Sequence, residues 1–96
     1  MHFTTAIVAM FSTLVLADFH HNCGCDIRGS YRVDVSQATC QLWSTNQPNC
    51  HFDGYSCVDK GIGRGIDGAP WEKTCKEAWQ IDFGGNPDDA KGHCWH

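Results

Sequence analysis

The apolar positions of the chain fall into one unbroken run, several short alternating stretches and one helical stripe. From Ala6 to Ala17 only Ser12 and Thr13 interrupt the apolar run, and residues 1–17 contain no Lys, Arg, Asp or Glu. A membrane-spanning helix needs roughly 20 such residues, so this run is too short. It has the length of the apolar part of a secretory signal, and Val15-Leu16-Ala17 places small residues at −3 and −1 of a cleavage site. Residues 1–17 therefore read as a signal peptide, and residues 18–96 as a single disulfide-rich secreted domain.

Within that domain, Tyr31-Arg32-Val33-Asp34-Val35 alternates apolar and charged residues, which predicts a half-buried strand. Residues 38–43, ATCQLW, fit a second strand or one helical turn, with strand as the expectation. Thr45 to Asn49 reads as a turn. His51 to Val58 reads as a strand broken at Asp53-Gly54, a dipeptide suited to a hairpin. Lys60 to Pro70 carries glycines at 61, 63, 65 and 68 and reads as a loop. Its Ile62, Arg64 and Ile66 serve as anchors or as a presented binding contact. The glycine spacing there does not make the dinucleotide fingerprint, which needs a longer unit of strand, helix and strand.

The strongest element signal lies at about 70–80. Pro70 suits a first helical turn, and Trp71, Cys75, Ala78 and Trp79 fall on one face. On the other side, Glu72 with Lys76 and Lys73 with Glu77 are spaced as i,i+4 pairs. Gly84-Gly85 ends the helix, Asn86 to Asp89 turns the chain, and the tail closes at Gly92 to His96. The pattern predicts an α+β fold: a small disulfide-stapled domain with a short antiparallel sheet packed against one main helix, tied to the sheet through Cys75.

Composition explains why staples are needed. All seven cysteines lie beyond residue 17, about 9% of residues 18–96, and only eleven Leu, Ile, Val and Phe accompany them. A core that small is marginal by itself, and disulfides supply roughly 2–4 kcal/mol each. The candidates are Cys23, Cys25, Cys40, Cys50, Cys57, Cys75 and Cys94. Cys23 and Cys25 stand too close for a relaxed mutual bridge and should take different partners. The odd count leaves one cysteine unpaired or committed to an intermolecular bridge, so a covalent dimer is one expectation. Seven ways of omitting one, times 15 pairings of the rest, leave about 105 patterns open.

Charge narrows the partners. Eleven acidic residues against seven basic ones give −4, with no basic cluster, which excludes phosphate-neutralising nucleic-acid binding and cationic attack on membranes. If cleavage follows Ala17, the α-amine of Asp18, the amides of Phe19 and His20 and the His20 imidazole offer four nitrogens. That square-planar set suits Cu(II) or Ni(II). A zinc reading would gather His20, His21, Cys23 and Cys25 with His93, Cys94 and His96, but oxidising compartments consume such thiolates as disulfides. For acid–base catalysis, His51 beside Asp53 is the best pair available, and an ordinary surface pair is the plainer reading. No nucleophile motif is present, and no enzymatic activity is expected.

The segments C-G-C, QATCQLW, PNCHFDGYSC, IDGAPWEKTCKEAW and the terminal GHCW, behind a signal peptide, resemble the small secreted cysteine-rich proteins of filamentous fungi, many of them effector candidates. The resemblance implies a compact α+β sandwich, shared by some killer toxins, that is secreted and acts by binding an extracellular or host protein or a competing microbe. Three functional expectations stand: a non-enzymatic effector-like binding protein, a secreted copper- or nickel-binding protein, and a small toxin or enzyme inhibitor.

Overall fold

The structure, a computed structural model, describes residues 19–60 and 64–96; residues 1–17, expected to be a signal peptide, Asp18 and Ile62 lie outside the described residues. A short strand, Phe19–His20 (β1), leads into Asn22–Ile27 (β2) and Ser30–Tyr31 (β3). Helix Val33–Ser44 (α1) follows, then the strands His51–Phe52 (β4), Cys57–Val58 (β5) and Ile66–Asp67 (β6). Helix Gly68–Phe83 (α2), a 3-10 turn at Pro87–Asp89 and the strand Ala90–Trp95 (β7) complete the described chain. The fold is α+β and disulfide-stapled, with two α-helices among the described residues where the sequence pattern predicted one main helix.

Strand β2 organises the sheet. It pairs antiparallel with β7 over six residues, from Asn22 opposite Trp95 to Ile27 opposite Ala90. Its other edge carries β3 at one end and β5 at the other, with β4 beyond β5. Phe19–His20 instead pairs with Ile66–Asp67 in a separate ribbon. Because side chains alternate along a strand, Cys23, Cys25 and Ile27 turn to the helices and are buried. Asn22, Gly24 and Asp26 turn the other way, and strand register puts Trp95, His93 and Tyr31 on that same outer face.

Both helices cover the inner face. Trp71 of α2 is fully buried, packs edge-on against Trp43 of α1 at 5.6 Å between ring centroids, and donates its indole N–H to the Gly24 carbonyl at 2.8 Å. Trp71, Cys75 and Ala78 form the buried stripe that their spacing predicts. The helix starts two residues before Pro70, where Asp67 caps Ala69 N–H, and stops at Gly84, whose φ of 69° is left-handed. The predicted Glu72–Lys76 pair gives way to backbone partners. Glu72 Oε1 accepts from Gly92 N–H at 2.9 Å, and Lys76 Nζ donates to the carbonyls of Ala90 at 2.7 Å and Pro87 at 3.2 Å. Half-buried peptide groups of the returning chain need partners, and these two side chains supply them.

The expected strands at Tyr31 to Val35 and 38–43 are corrected to α1, with only Ser30–Tyr31 extended. Its buried positions, Val35, Ser36, Thr39 and Cys40, follow helical spacing, but two of the four are polar, so hydrophobicity conceals the stripe. Both hydroxyls are satisfied locally: Ser36 Oγ donates to Arg32 O and accepts from Cys25 N–H at 2.8 Å, while Thr39 Oγ1 donates to Val35 O. At the helix start, Asp34 accepts from Val35 N–H and pairs with Arg32, which holds its carboxyl below the ordinary range. The hairpin at Asp53-Gly54 is as predicted, with His51 opposite Val58 and Phe52 opposite Cys57.

The disulfides join Cys23 to Cys94, Cys25 to Cys75, and Cys40 to Cys57. Neighbouring Cys23 and Cys25 thus take different partners, and Cys75 ties α2 to the sheet. The seventh cysteine, Cys50, is unbridged and only 7% exposed.

Candidate binding face

Among the described residues no helix lies over the outer face of the sheet, which is paved with aromatic rings. Tyr31 lies across Gly24: a Cβ built on Gly24 would stand 1.9 Å from the phenol oxygen, so only glycine admits the ring there. The Tyr31 and Tyr55 rings stack at 4.6 Å, and the Tyr31 hydroxyl donates to the Tyr55 carbonyl at 2.7 Å. Burial pushes the Tyr31 phenol up, so it stays protonated as a donor. Trp95 meets Tyr31 at an interplanar angle of 64° and Tyr55 at 59°, making a corner of two planes. His93 fills the space between Trp95 and Tyr31, edge-on to both at 5.4 and 5.6 Å.

Polar groups frame this surface. The Asp26 carboxylate holds His93 Nδ1 at 3.1 and 3.2 Å, fixing the imidazole plane. Asn22 Nδ2 donates to Ser56 Oγ at 3.1 Å. Asp53 accepts from the N–H groups of Ser56 and Tyr55, which draw its carboxyl below the ordinary range and brace the β4–β5 turn that presents Tyr55. Together Asn22, Asp53, Tyr55, Ser56, His93 and Trp95 line a shallow cleft of about 360 Å³. Among the described residues, no aliphatic side chain lines it. Tyr55 is 52% exposed, so its ring is available to a ligand.

The chain matches no family model, curated protein or solved structure. The chemistry of the site therefore rests on the side chains themselves.

Of the residues singled out from sequence, Asp53 and His93 belong to this face and the others lie elsewhere. Of the predicted copper set, Asp18 lies outside the described residues, while Phe19 and His20 form β1 against Asp67 and Ile66. The His96 ring stands 5.1 Å from that of His20 and 5.2 Å from that of His21, and His96 Nε2 contacts Phe19 O at 3.0 Å. The zinc reading fails on its thiolates, since Cys23, Cys25 and Cys94 are all bridged. Among the described residues, no group of three or more His, Cys, Asp or Glu side chains is arranged to hold a metal ion. His51 and Asp53 form no hydrogen bond or ion pair among the described contacts; Asp53 Oδ1 takes the turn N–H groups, and Oδ2 keeps only a long contact from Ser56 Oγ at 3.4 Å.

Of the two roles expected for the loop, Ile66 takes that of an anchor, fully buried in β6. Arg64 is exposed, and its Nε lies 2.6 Å from the buried Asp59 carboxylate. With the Asn49 amide oriented so that its oxygen faces the guanidinium, Nη1 and Nη2 donate to that oxygen at 2.8 and 3.1 Å. The Cys50 thiol donates to the other Asp59 oxygen at 3.4 Å, and burial pushes that thiol up to about 11. A buried thiol of this kind is a poor nucleophile, which argues against a dimer bridged through Cys50.

Sequence reasoning missed Tyr31, Tyr55, His93 and Trp95 as a group. The signal was present in the tail: His93 and Trp95 alternate with Gly92 and Cys94, the period of a strand with one wet face.

Proposed function

We propose that this is a secreted, non-enzymatic, effector-like binding protein that holds a host or competitor target on the outer face of its sheet. The observation that carries the reading is the Tyr31, Tyr55, His93 and Trp95 cluster, held on the sheet face opposite the two described helices. Aromatic side chains supply large contact area at low entropic cost, which is why they dominate binding hot spots. Bridges Cys23–Cys94 and Cys25–Cys75 anchor the strands beneath and pre-organise the surface. Disulfides of this density suit an oxidising compartment, and no helix among the described residues is long and apolar enough to cross a membrane.

The test compares the secreted wild type with Tyr55→Ala and Trp95→Ala on host tissue and competing microbes, scoring cell death, altered immunity or growth arrest. Both variants should fold and lose the response. A response retained in both refutes the assignment of this face. N-terminal sequencing and intact mass of the exported material test the cleavage after Ala17 at the same time.

A second reading is Cu(II) or Ni(II) binding by Asp18-Phe19-His20, and the His96 ring beside His20 favours it by adding an imidazole near that terminus. It predicts one Cu(II) equivalent per chain and its loss in His20→Ala. Unchanged affinity in that variant eliminates it.

A further inference from the structure

We infer that the occupant of the outer face is a neutral, β-linked hexopyranose chain, a polysaccharide strand laid across Tyr55 and Trp95. This deepens the binding reading above and rests on it. Three features of the cleft select that chemistry over other ligands.

First, the lining is aromatic and polar with no aliphatic member: Asn22, Asp53, Tyr55, Ser56, His93 and Trp95. Lipid tails and amphipathic helices are held by aliphatic grooves. An equatorially substituted sugar ring instead offers a flat face of C–H bonds, slightly positive, to the negative face of an aromatic ring. Trp95 and Tyr55, inclined at 59° with centroids 6.1 Å apart, present two such faces in different planes. A chain whose successive rings are turned relative to one another could place one ring on each.

Second, the rim carries planar groups suited to hydroxyls. Sugar hydroxyls both donate and accept, and carboxylate, amide and imidazole edges match them. Asp53, Asn22 and His93 are those three groups, and each is already oriented by a partner: the turn N–H groups for Asp53, Ser56 for Asn22, and Asp26 for His93. Orientation before binding removes part of the entropic cost of weak, exposed contacts.

Third, charge excludes the polyanions that also stack on aromatic rings. Single-stranded nucleic acid needs a positive groove beside its stacking platform. Here the charged side chains at the cleft are the carboxylates of Asp53 and, behind His93, Asp26. Lys91 sits opposite Asp26 in the strand pair, outside the cleft lining. Phosphate-rich and uronate-rich polymers are therefore disfavoured. At about 360 Å³ the cleft stands near the lower end of small-molecule sites, which suits one or two sugar rings of a longer chain.

The experiment is co-sedimentation of the disulfide-bonded protein with insoluble chitin, cellulose and β-1,3-glucan, with polygalacturonate gel as the acidic control. Retention on at least one neutral polymer, reduced tenfold or more in both Tyr55→Ala and Trp95→Ala, is the expected result. Which neutral polymer retains it distinguishes an acetamido sugar from plain glucose. Circular dichroism and thermal melts of both variants show that they fold. If either does not, Trp95→Phe and Tyr55→Leu replace them, and Tyr55→Leu should still weaken retention because it removes the ring face. Retention unchanged in the folded variants overturns the inference, as does equal retention on polygalacturonate. If no polymer retains the protein while the same variants abolish its effect on host or competitor cells, the face still binds but its occupant is a protein. If the variants change neither, the face reading falls as well.

Discussion

Replacing Trp71 by Phe tests the inner side of the sheet without touching the outer face. Trp71 is fully buried, and its indole N–H is committed to the Gly24 carbonyl at 2.8 Å. Phe keeps an aromatic ring beside Trp43 but removes the donor, which costs about 1 kcal/mol for a bond of ordinary net strength. The smaller ring also leaves a void in the core beside Trp43, worth about 1–2 kcal/mol more if the surroundings relax only in part. The sum is about 2–3 kcal/mol, which for a domain of this size lowers Tm by roughly 10–20 °C. The assay is urea and thermal unfolding under non-reducing conditions, with Ile81→Ala, at a position 73% exposed, as the surface comparator. Ile81→Ala should shift stability by less than about 0.5 kcal/mol, as surface substitutions do. A Trp71→Phe loss below about 1 kcal/mol, or equal losses in the two variants, would show that the indole bond and the buried stripe do not hold the sheet as described.

Gly24→Ala should destabilise only by about 1–2 kcal/mol, because the atom it meets is the far end of a movable tyrosine. It should nonetheless abolish outer-face binding, since Tyr31 must leave its stack on Tyr55; unaltered binding would refute the platform. Cys50 should react slowly with iodoacetamide at pH 8 in the folded protein and fast in denaturant, read by mass spectrometry. Its thiol ionises near 9 when unfolded and near 11 when folded, so burial contributes stability that is fully present below pH 9 and fades as pH rises toward 11. Cys50→Ala should lack that alkaline loss, and an identical pH profile in the variant would count against it. Gly84→Ala meets no neighbour within 4 Å, so its cost should be the left-handed backbone alone, about 1–2 kcal/mol in a urea titration.

The elements that were legible in the sequence are those whose chemistry is local. Trp71, Cys75 and Ala78 announce α2 by spacing, Asp53-Gly54 announces a hairpin, and Gly84 announces a helix end. Helix α1 was hidden because Ser36 and Thr39, which bury as completely as Val35, carry no hydrophobic signal. Their burial depends on bonds to Cys25, Arg32 and Val35, and the bond to Cys25 comes from another element. The β2–β3 hairpin was hidden too, since its turn uses Arg28 at φ 52° rather than Asn or Asp, and Asp89 secures it from the far end of the chain. The outer face is the extreme case. Tyr31, Tyr55 and Trp95 become neighbours only through strand pairing, which no local pattern encodes.

The pairing of β2 with β7 also governs when this chain can fold. Six residues near the start of the described chain must find six residues at its end, and Cys23 must wait for Cys94, 71 positions later. Until the last segment has been synthesised, Cys23 and Cys25 can meet, besides each other, only Cys40, Cys50, Cys57 or Cys75, and only the last of these is a native partner. Contacts of such long range form slowly, so early oxidation favours mispaired bridges. Efficient oxidative folding should depend on a disulfide isomerase, which must also clear Cys50 of wrong partners.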